Sequence, residues 1–396
     1  MERSWWPLIL ELAVELEIAG IPYTFDEDTA LFVHGIDGSG MEEVHISIQW
    51  DLFDSAYDLF RPDSAGPIVK NPDWAKFTFS RRGLPITILC YYNSVVATDP
   101  YRVLIDKDGQ KLWSKSLWFF KRTCDPQDAR ISIIRGFLQR KQHELNEINA
   151  NAWNQDPYDA WINRYGPPVE AAQQIRKNPS AKLKSVGRYL KDVKGQKVAN
   201  LLGSHGSKAV ALALLGAKVT VIDVSAENAR YATELALEAG VDLRYIVSDV
   251  LTVPSAEFTS DYDLVLMELG ILHYFIDLDP LAKVVSGLLR SGGRLVLQDF
   301  HPVSTKLITS KGQKHKVTGN YFDSSLEVTN VAFTKFSFGH DPHDAKRVQL
   351  RKWTLGEIVT SIASVGLFIR ILEEEPNHKI DDIGIPKTFT LVAEKL

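Results

Sequence analysis

From Lys197 onward the chain keeps one rhythm, a short apolar strand followed by a turn and a helix, and this rhythm limits the fold more than any other feature. Lys197–Leu202 reads as a strand that runs into Gly203-Ser204-His205-Gly206 and a helix through Leu215. Lys218–Val224 is a second strand, with Ser225 capping a helix that ends at Gly240. Leu243–Val250 and Tyr262–Leu269 follow as strands. A helix over about 279–290, a Ser291-Gly292-Gly293 turn and a fifth strand, Arg294–Phe300, come next. Strands alternating with helices at this spacing predict an α/β fold with a parallel, doubly wound sheet. An insertion at about 301–352 breaks the rhythm, after which Trp353–Val365 is helical and Phe368–Glu374 and Thr388–Glu394 are two more strands.

The first 125 or so residues read as a separate mixed α/β domain. A helix near 7–19 ends at Gly20, Ile21-Pro22-Tyr23 opens a strand, and Val44–Ile48 alternates apolar and polar residues as a half-buried strand should. Asp51–Phe60 suits a helix and Ile86–Tyr92 a strand. A helical pattern from Pro126 to about His143 then gives way to the polar run HELNEINANAWNQDP, read as the domain connection. The expected domains are therefore 1–125, a helical linker and cap over 126–190, and 191–396 with its insertion. At 396 residues, 45% hydrophobic and 24% charged, the chain is neither collagen-like nor disordered. A net charge of −5 argues against general nucleic-acid binding, which calls for a basic surplus. Cys90 and Cys124 belong to no CxxC pair and read as reduced thiols of a cytoplasmic protein. Glu11, Glu15 and Glu17 interrupt the first apolar stretch, which is thus neither a signal peptide nor a membrane span.

The chemistry concentrates at the carboxyl ends of the strands. Val198 through Gly206 is a strand ending in glycines and opening a helix, so backbone approaches a ligand closely and helix N–H groups face it. Asp223, about 20 residues after the glycines, is placed to accept the ribose hydroxyls of an adenosine. Asp249 closes the third strand, where a carboxylate meets the adenine amino group. Alone, Asp223 reads equally well as a solvated strand end; three such features on successive strands do not.

The segment 197–300 resembles the class I S-adenosylmethionine-dependent methyltransferases, and the last two strands resemble that family's terminal antiparallel hairpin. The resemblance covers about 185–396, and Trp153 to Tyr189 is similar to the helices that often cap this Rossmann-like core. The family's acidic-x-Gly-x-Gly-x-Gly pattern reads here Asn200-Leu201-Leu202-Gly203-Ser204-His205-Gly206, with an uncharged Asn in place of the acid. What the resemblance implies is S-adenosylmethionine as cofactor. Its contacts would come from Asn200, Gly203, Ser204, Gly206, Asp223, Val224, Asp249, Val250, Glu268 and Leu269. The alternatives are an NAD-dependent oxidoreductase, for which Gly203, Gly206 and Ala209 give only G-x-x-G-x-x-A, and a non-catalytic S-adenosylmethionine-binding protein.

Methyl transfer from a sulfonium is an in-line displacement that depends mainly on alignment, with a base needed only for an acceptor protonated at neutral pH. His273 follows the fourth strand and His301 the fifth, and both are candidate bases, with a structural, hydrogen-bonded role as the alternative for each. His301 is preferred, because Pro302 restricts its backbone and Phe300 keeps it near the sheet. The Asn/Asp-Pro-Pro-Tyr/Phe sequence of many nucleic-acid and glutamine amide N-methyltransferases is missing, which points to a small-molecule acceptor and O- or N-methylation. The insertion carries Lys306, Lys311, Lys314, His315 and Lys316, then Tyr321, Phe322, Phe333, Phe336 and Phe338. It reads either as a lid with a cationic rim and aromatic walls or as a solvated loop followed by core strands. Trp153, Tyr158, Trp161 and Tyr165 are candidates to roof the cofactor or simply to pack.

Residues 1–125 resemble small nucleotidyltransferase domains through Glu17–Tyr23, Ala30–Gly35 and Val44–Ile48. Such enzymes hold magnesium ions with three carboxylates, and at those positions this chain has His45, Ser47 and Thr87. The resemblance implies a scaffold that has lost nucleotide transfer and serves acceptor binding or homodimer formation.

Overall fold

The computed structural model describes residues 5–36, 40–311, 314–336, 346–377 and 384–396. Its contacts divide the chain into two compact units, Met1–Arg140 and Lys141–Leu396.

In the first unit Trp6–Ile18 forms α1, Tyr23–Phe25 β1, Glu27–Val33 α2, Val44–Ile48 β2 and Phe53–Phe60 α3. Val69–Lys70 (β3), Trp74–Arg81 (β4), Leu84–Tyr91 (β5), Arg102–Lys107 (β6), Gln110–Lys115 (β7) and Leu117–Thr123 (α4) follow. The strands make one mixed sheet in the order β3-β4-β5-β2-β1-β7-β6. Leu8, Ile9, Leu12 and Leu16 recur at helical spacing on α1 and pack into one core with Phe25, Ile46 and Ile88 of the strands. β2 and β5 run parallel with His45 opposite Thr87. Two other carboxylates stand beside them: Asp26 accepts the Ser47 hydroxyl at 2.9 Å, and Glu43 lies 2.7 Å from His45 and accepts the Thr87 hydroxyl at 3.1 Å. No group of His, Cys, Asp and Glu able to hold a metal ion occurs among the described residues.

The division between the units falls inside α5, Ala129–Trp153. The polar run expected to be a connection is largely the end of this helix. Amides at 142, 146 and 149 and the indole of Trp153 share one face at intervals of 4, 3 and 4 residues.

The second unit continues with four helices, α6 (Pro157–Tyr165), α7 (Pro168–Lys177), α8 (Pro179–Lys182) and α9 (Gly187–Leu190). The alternating core is β8 (Lys197–Leu201), α10 (Ser207–Leu214), β9 (Lys218–Asp223), α11 (Ala226–Ala239), β10 (Arg244–Val247), β11 (Tyr262–Glu268), α12 (Asp279–Leu288) and β12 (Leu289–Phe300). β13 (Ile308–Lys311) with β14 (Lys314–Val317), and β15 (Leu326–Asn330) with β16 (Arg347–Arg351), form two small antiparallel pairs in the insertion. α13 (Leu355–Ala363), β17 (Leu367–Pro376) and β18 (Pro386–Lys395) close the chain.

The main sheet runs β10-β9-β8-β11-β12-β18-β17. The first five are parallel, and β18 is antiparallel to both β12 and β17. Successive residues feed opposite faces: Val198, Leu264 and Val296 enter one core, Ala199, Val265 and Leu297 the other. Both faces are covered, which explains the nearly continuous apolar strands. Strand order reverses between β8 and β11, and a crevice opens outside their carboxyl ends. Two boundaries differ from expectation. Ser291-Gly292-Gly293 lies within β12, where the register against β11 shifts between Tyr262 and Leu264. β10 stops at Val247 because the Asp249 carboxylate caps the next turn, accepting Leu251 N.

Candidate active site

The crevice is a cleft of about 640 Å³, within the range of small-ligand sites, about 300–1,000 Å³. Its floor is the set of strand ends. β8 passes through Asn200, whose amide donates to Leu266 O at 3.3 Å, into the turn 202–206. Gly203 has no room for a side chain, since a Cβ would stand 2.6 Å from Asn200 Oδ1 and 2.8 Å from Val221. Leu202, Ser204 and Leu269 hold left-handed backbone without being glycine, and all three line the cleft. Strain of this kind persists where the surroundings over-determine it.

Asp223 is buried at the end of β9. It accepts Ser204 N at 3.0 Å on one oxygen, and Ser225 N at 3.0 Å and the Asn228 amide at 3.3 Å on the other. Burial pushes its carboxyl above the usual range, with these donors opposing the shift. Asp249 Oδ2 accepts the Asn146 amide of α5 at 2.5 Å. Glu268 ends β11 with its side chain 6% exposed, paired with Lys208 of α10; burial raises its carboxyl and Lys208 opposes the rise.

The roof comes from α5, α6 and the insertion. Gln142 donates to Tyr274 O at 2.9 Å and accepts Ile276 N at 2.7 Å, while Asn149 exchanges two bonds with the Gln349 backbone. Trp153 donates to the Tyr274 hydroxyl at 2.9 Å. His205 lies against Tyr165, centroids 4.6 Å apart, and Trp161, 4.7 Å away. Its pKa is pushed down to about 3, first by burial and then by Arg164, Lys182 and Lys208.

Of the expected site residues, Asn200, Gly203, Ser204, Asp223, Val224, Asp249, Val250, Glu268, Leu269 and His273 line the cleft. Gly206 does not. Its place in the turn is set by packing, since a Cβ would meet Ala232 Cβ at 2.5 Å. His301 is a second correction. It is 3% exposed at the edge of the sheet, with Nε2 2.6 Å from Glu374 and Nδ1 accepting Val303 N at 3.1 Å. Both ring nitrogens are engaged away from the cleft, so His301 has no lone pair to offer there.

His273 is different. It lines the cleft edge-on to Tyr274, and among the described residues no hydrogen bond occupies its ring. Burial lowers its pKa, opposed by Asp299 and reinforced by Lys352, which keeps the imidazole neutral. The loop before it is held from β12: Asp299 accepts Gly270 N at 2.6 Å, Ile271 N at 3.3 Å and Leu272 N at 3.1 Å.

The aromatic and lysine-rich expectations divide similarly. Trp153, Trp161 and Tyr165 line the cleft, while Tyr158 instead donates to Glu234. Lys306 is buried, donating to the carbonyls of Asp323 and Lys352, and burial brings it down to about 8. Lys314, His315 and Lys316 belong to the β13–β14 pair, outside the cleft lining, and Tyr321 accepts Leu355 N. The insertion reaches the cleft through a 3-10 turn, Ala332–Phe336, which places Ala332 and Lys335 in the lining and packs Phe333 against Trp153. Phe338 and the side chain of Lys311 lie outside the described residues. The sequence reading missed Asn146, Asn149, Arg164 and Lys182, although the helical spacing of the α5 amides was a usable signal.

Residues 202–297 match the family of methyltransferase domains. Over these residues the chain is similar to methyltransferase domains, and S-adenosylmethionine is the cofactor this similarity implies. The donor set of the cleft suits that cofactor: the carboxylates of Asp223 and Asp249 line it beside a Gly203 turn that admits no side chain. No curated protein matches the chain. Among solved structures, a putative S-adenosylmethionine-dependent methyltransferase from Listeria monocytogenes is 20% identical, covering 55% of this chain and 99% of that one at a TM-score of 0.44. One from Mesorhizobium loti is 18% identical, with 54% and 97% covered and a TM-score of 0.44. Magnesium protoporphyrin IX methyltransferase from Synechocystis with bound S-adenosylhomocysteine is 16% identical, with 63% and 99% covered and a TM-score of 0.40. Among the described residues no helix is long and apolar enough to cross a membrane.

Proposed function

We infer that the second unit transfers a methyl group from S-adenosylmethionine to the oxygen or nitrogen of a small-molecule acceptor, with His273 as general base. The observation that carries this reading is that Asp223, Asp249, the Gly203 turn and a neutral His273 all line one cleft. The bound cofactor supplies an electrophilic methyl group on a sulfonium. The chain supplies positioning, a proton acceptor and the exclusion of water. The Asp223 carboxylate holds Ser204 N, Ser225 N and the Asn228 amide, and its place in the cleft lining offers it to the ribose hydroxyls. Asp249 lines the cleft with one oxygen on Leu251 N and the other on the Asn146 amide, and each oxygen keeps a second lone pair that would serve an adenine amino group. Asn200 supplies no charge to the amino acid end, but Lys208 and Glu268 present both signs there. His273 accepts the proton that the acceptor's O–H or N–H gives up as its lone pair attacks. Trp153, Trp161 and Tyr165 keep water from the reacting atoms. The first unit is read as a scaffold, in acceptor binding or a homodimer, without nucleotide transfer, because His45, Ser47 and Thr87 stand at the metal-carboxylate positions.

Calorimetry of the full chain with S-adenosylhomocysteine and with NAD tests the assignment. Binding of the first alone is expected, weakened in Asp223→Ala by the loss of one charged acceptor, about 1.5–3 kcal/mol. Binding of NAD instead would sink it.

A further inference from the structure

Part of the cleft lining is a cluster of positive charge. Arg164 of α6, Lys182 of α8 and Lys335 of the insertion all line it. They stand over two rings: Arg164 is 4.8 Å from the Tyr165 centroid and 4.3 Å from that of Phe336, Lys182 5.4 Å from Tyr165, and Lys335 5.1 Å from Phe336. Among the described residues none of the three pairs with a carboxylate, whereas Lys208, which also lines the cleft, is paired with Glu268. Lys182 is pushed down by burial and by its neighbour Arg164, so the two cations already feel each other. His205 is held neutral first by burial and then by Arg164, Lys182 and Lys208.

The charge count separates the possible owners of this cluster. The amino acid tail of S-adenosylmethionine is a zwitterion, which Lys208 and Glu268 together match, and its sulfonium makes the whole cofactor cationic. Three further unpaired cations are unfavourable beside such a ligand and favourable beside an anion. We propose that Arg164, Lys182 and Lys335 bind an anionic group, a carboxylate or a phosphate, on the methyl acceptor. The proposal rests on the methyltransferase reading and narrows its acceptor to anionic molecules.

The test uses the full chain saturated with S-adenosylhomocysteine and titrated with 4-hydroxybenzoate, phenyl phosphate and, as the uncharged control, 4-hydroxybenzamide. At least one anion is expected to bind, and the amide about tenfold more weakly or not at all. Replacing the three cations together (Arg164→Gln, Lys182→Gln, Lys335→Gln) should weaken the anion about tenfold or more. S-adenosylhomocysteine should then stay within about twofold of wild type, well under the 1.4 kcal/mol that a tenfold change represents. Arg164→Lys, which keeps the charge, should retain most of the anion affinity. Failure of both anions to bind overturns the proposal. So does a variant that loses S-adenosylhomocysteine while keeping 5′-methylthioadenosine, which lacks the amino acid tail, because the rim then belongs to the cofactor. If wild type binds no S-adenosylhomocysteine, the methyltransferase reading itself falls.

Discussion

The carboxylate of Asp299 accepts the backbone N–H of Gly270 at 2.6 Å, so the end of β12 fixes the turn that follows β11. Ile271 N and Leu272 N reach the same carboxylate, at 3.3 and 3.1 Å, and His273 is the next residue. Asp299 thereby positions the imidazole without touching it. Asp299→Ala leaves these N–H groups without their acceptor in a buried setting, at a cost on the order of 2–4 kcal/mol. Urea unfolding should show this loss. Turnover should fall with S-adenosylhomocysteine affinity nearly intact, and Asp299→Asn should recover part of both. Wild-type turnover in Asp299→Ala would remove the positioning role.

His273→Ala should lower turnover about 10²–10⁴-fold with cofactor binding preserved. Because burial lowers the His273 pKa, the imidazole stays neutral below the ordinary value of about 6.5, and turnover should hold as pH falls through that point. His301→Ala should instead cost stability, through the lost Glu374 and Val303 bonds, and leave the chemistry within about threefold, short of the general-base range. A pH–rate profile of the three proteins decides, and equal losses in both variants would refute the assignment.

The two turn glycines should fail differently. Gly206→Ala drives a Cβ to 2.5 Å from Ala232 Cβ and forces φ +73 on a residue with a side chain, so helix packing suffers by about 1–3 kcal/mol. Gly203→Ala pushes instead on Asn200 Oδ1, inside the cleft. Thermal unfolding and cofactor titration on each variant should give mainly a stability loss for Gly206 and mainly an affinity loss for Gly203.

His205 predicts acid lability. Its folded pKa of about 3 lies below the unfolded value of about 6.5, so the unfolded chain binds the extra proton between them. Stability contributed by keeping this ring neutral is complete above about pH 6.5 and is lost as pH falls from there toward 3. The slope from one such group is at most about 1.4 kcal/mol per pH unit. His205→Phe keeps the stack and should flatten the fall in unfolding free energy between about pH 6 and 4, within the window set by the two pKa values. An unchanged slope would show that the ring titrates freely.

The parallel strands were legible because both faces of the sheet are covered and the strands read as apolar runs of 4–7 residues between turn signals. That the strand-end residues line one cleft was legible too, since in such a sheet a crevice opens outside the carboxyl ends. His301 misled because distance along the chain from Phe300 says nothing of direction. The register of β12 against β18 and the reach of Glu374 from β17 turn its ring to the edge. The α5 amides were overlooked for a related reason: a polar run resembles a connection unless its spacing is tested at helical period. The lysines of the insertion were counted as a rim from composition, whereas Lys306 is spent on two backbone carbonyls, Lys314 and Lys316 lie outside the cleft lining, and Lys335, which was not among those counted, lines it.

The roof grips through neutral amides: Gln142 on the Tyr274–Ile276 backbone, Asn149 on Gln349, and Asn146 on Asp249. Amides do not titrate, and added salt screens them little. The guanidinium and ammonium groups of the cationic cluster lose their reach within a Debye length, about 8 Å at physiological ionic strength and about 3 Å at 1 M. Ionic strength is thus a dial that leaves the enclosure of the cleft in place and selectively turns down the attraction of those cations.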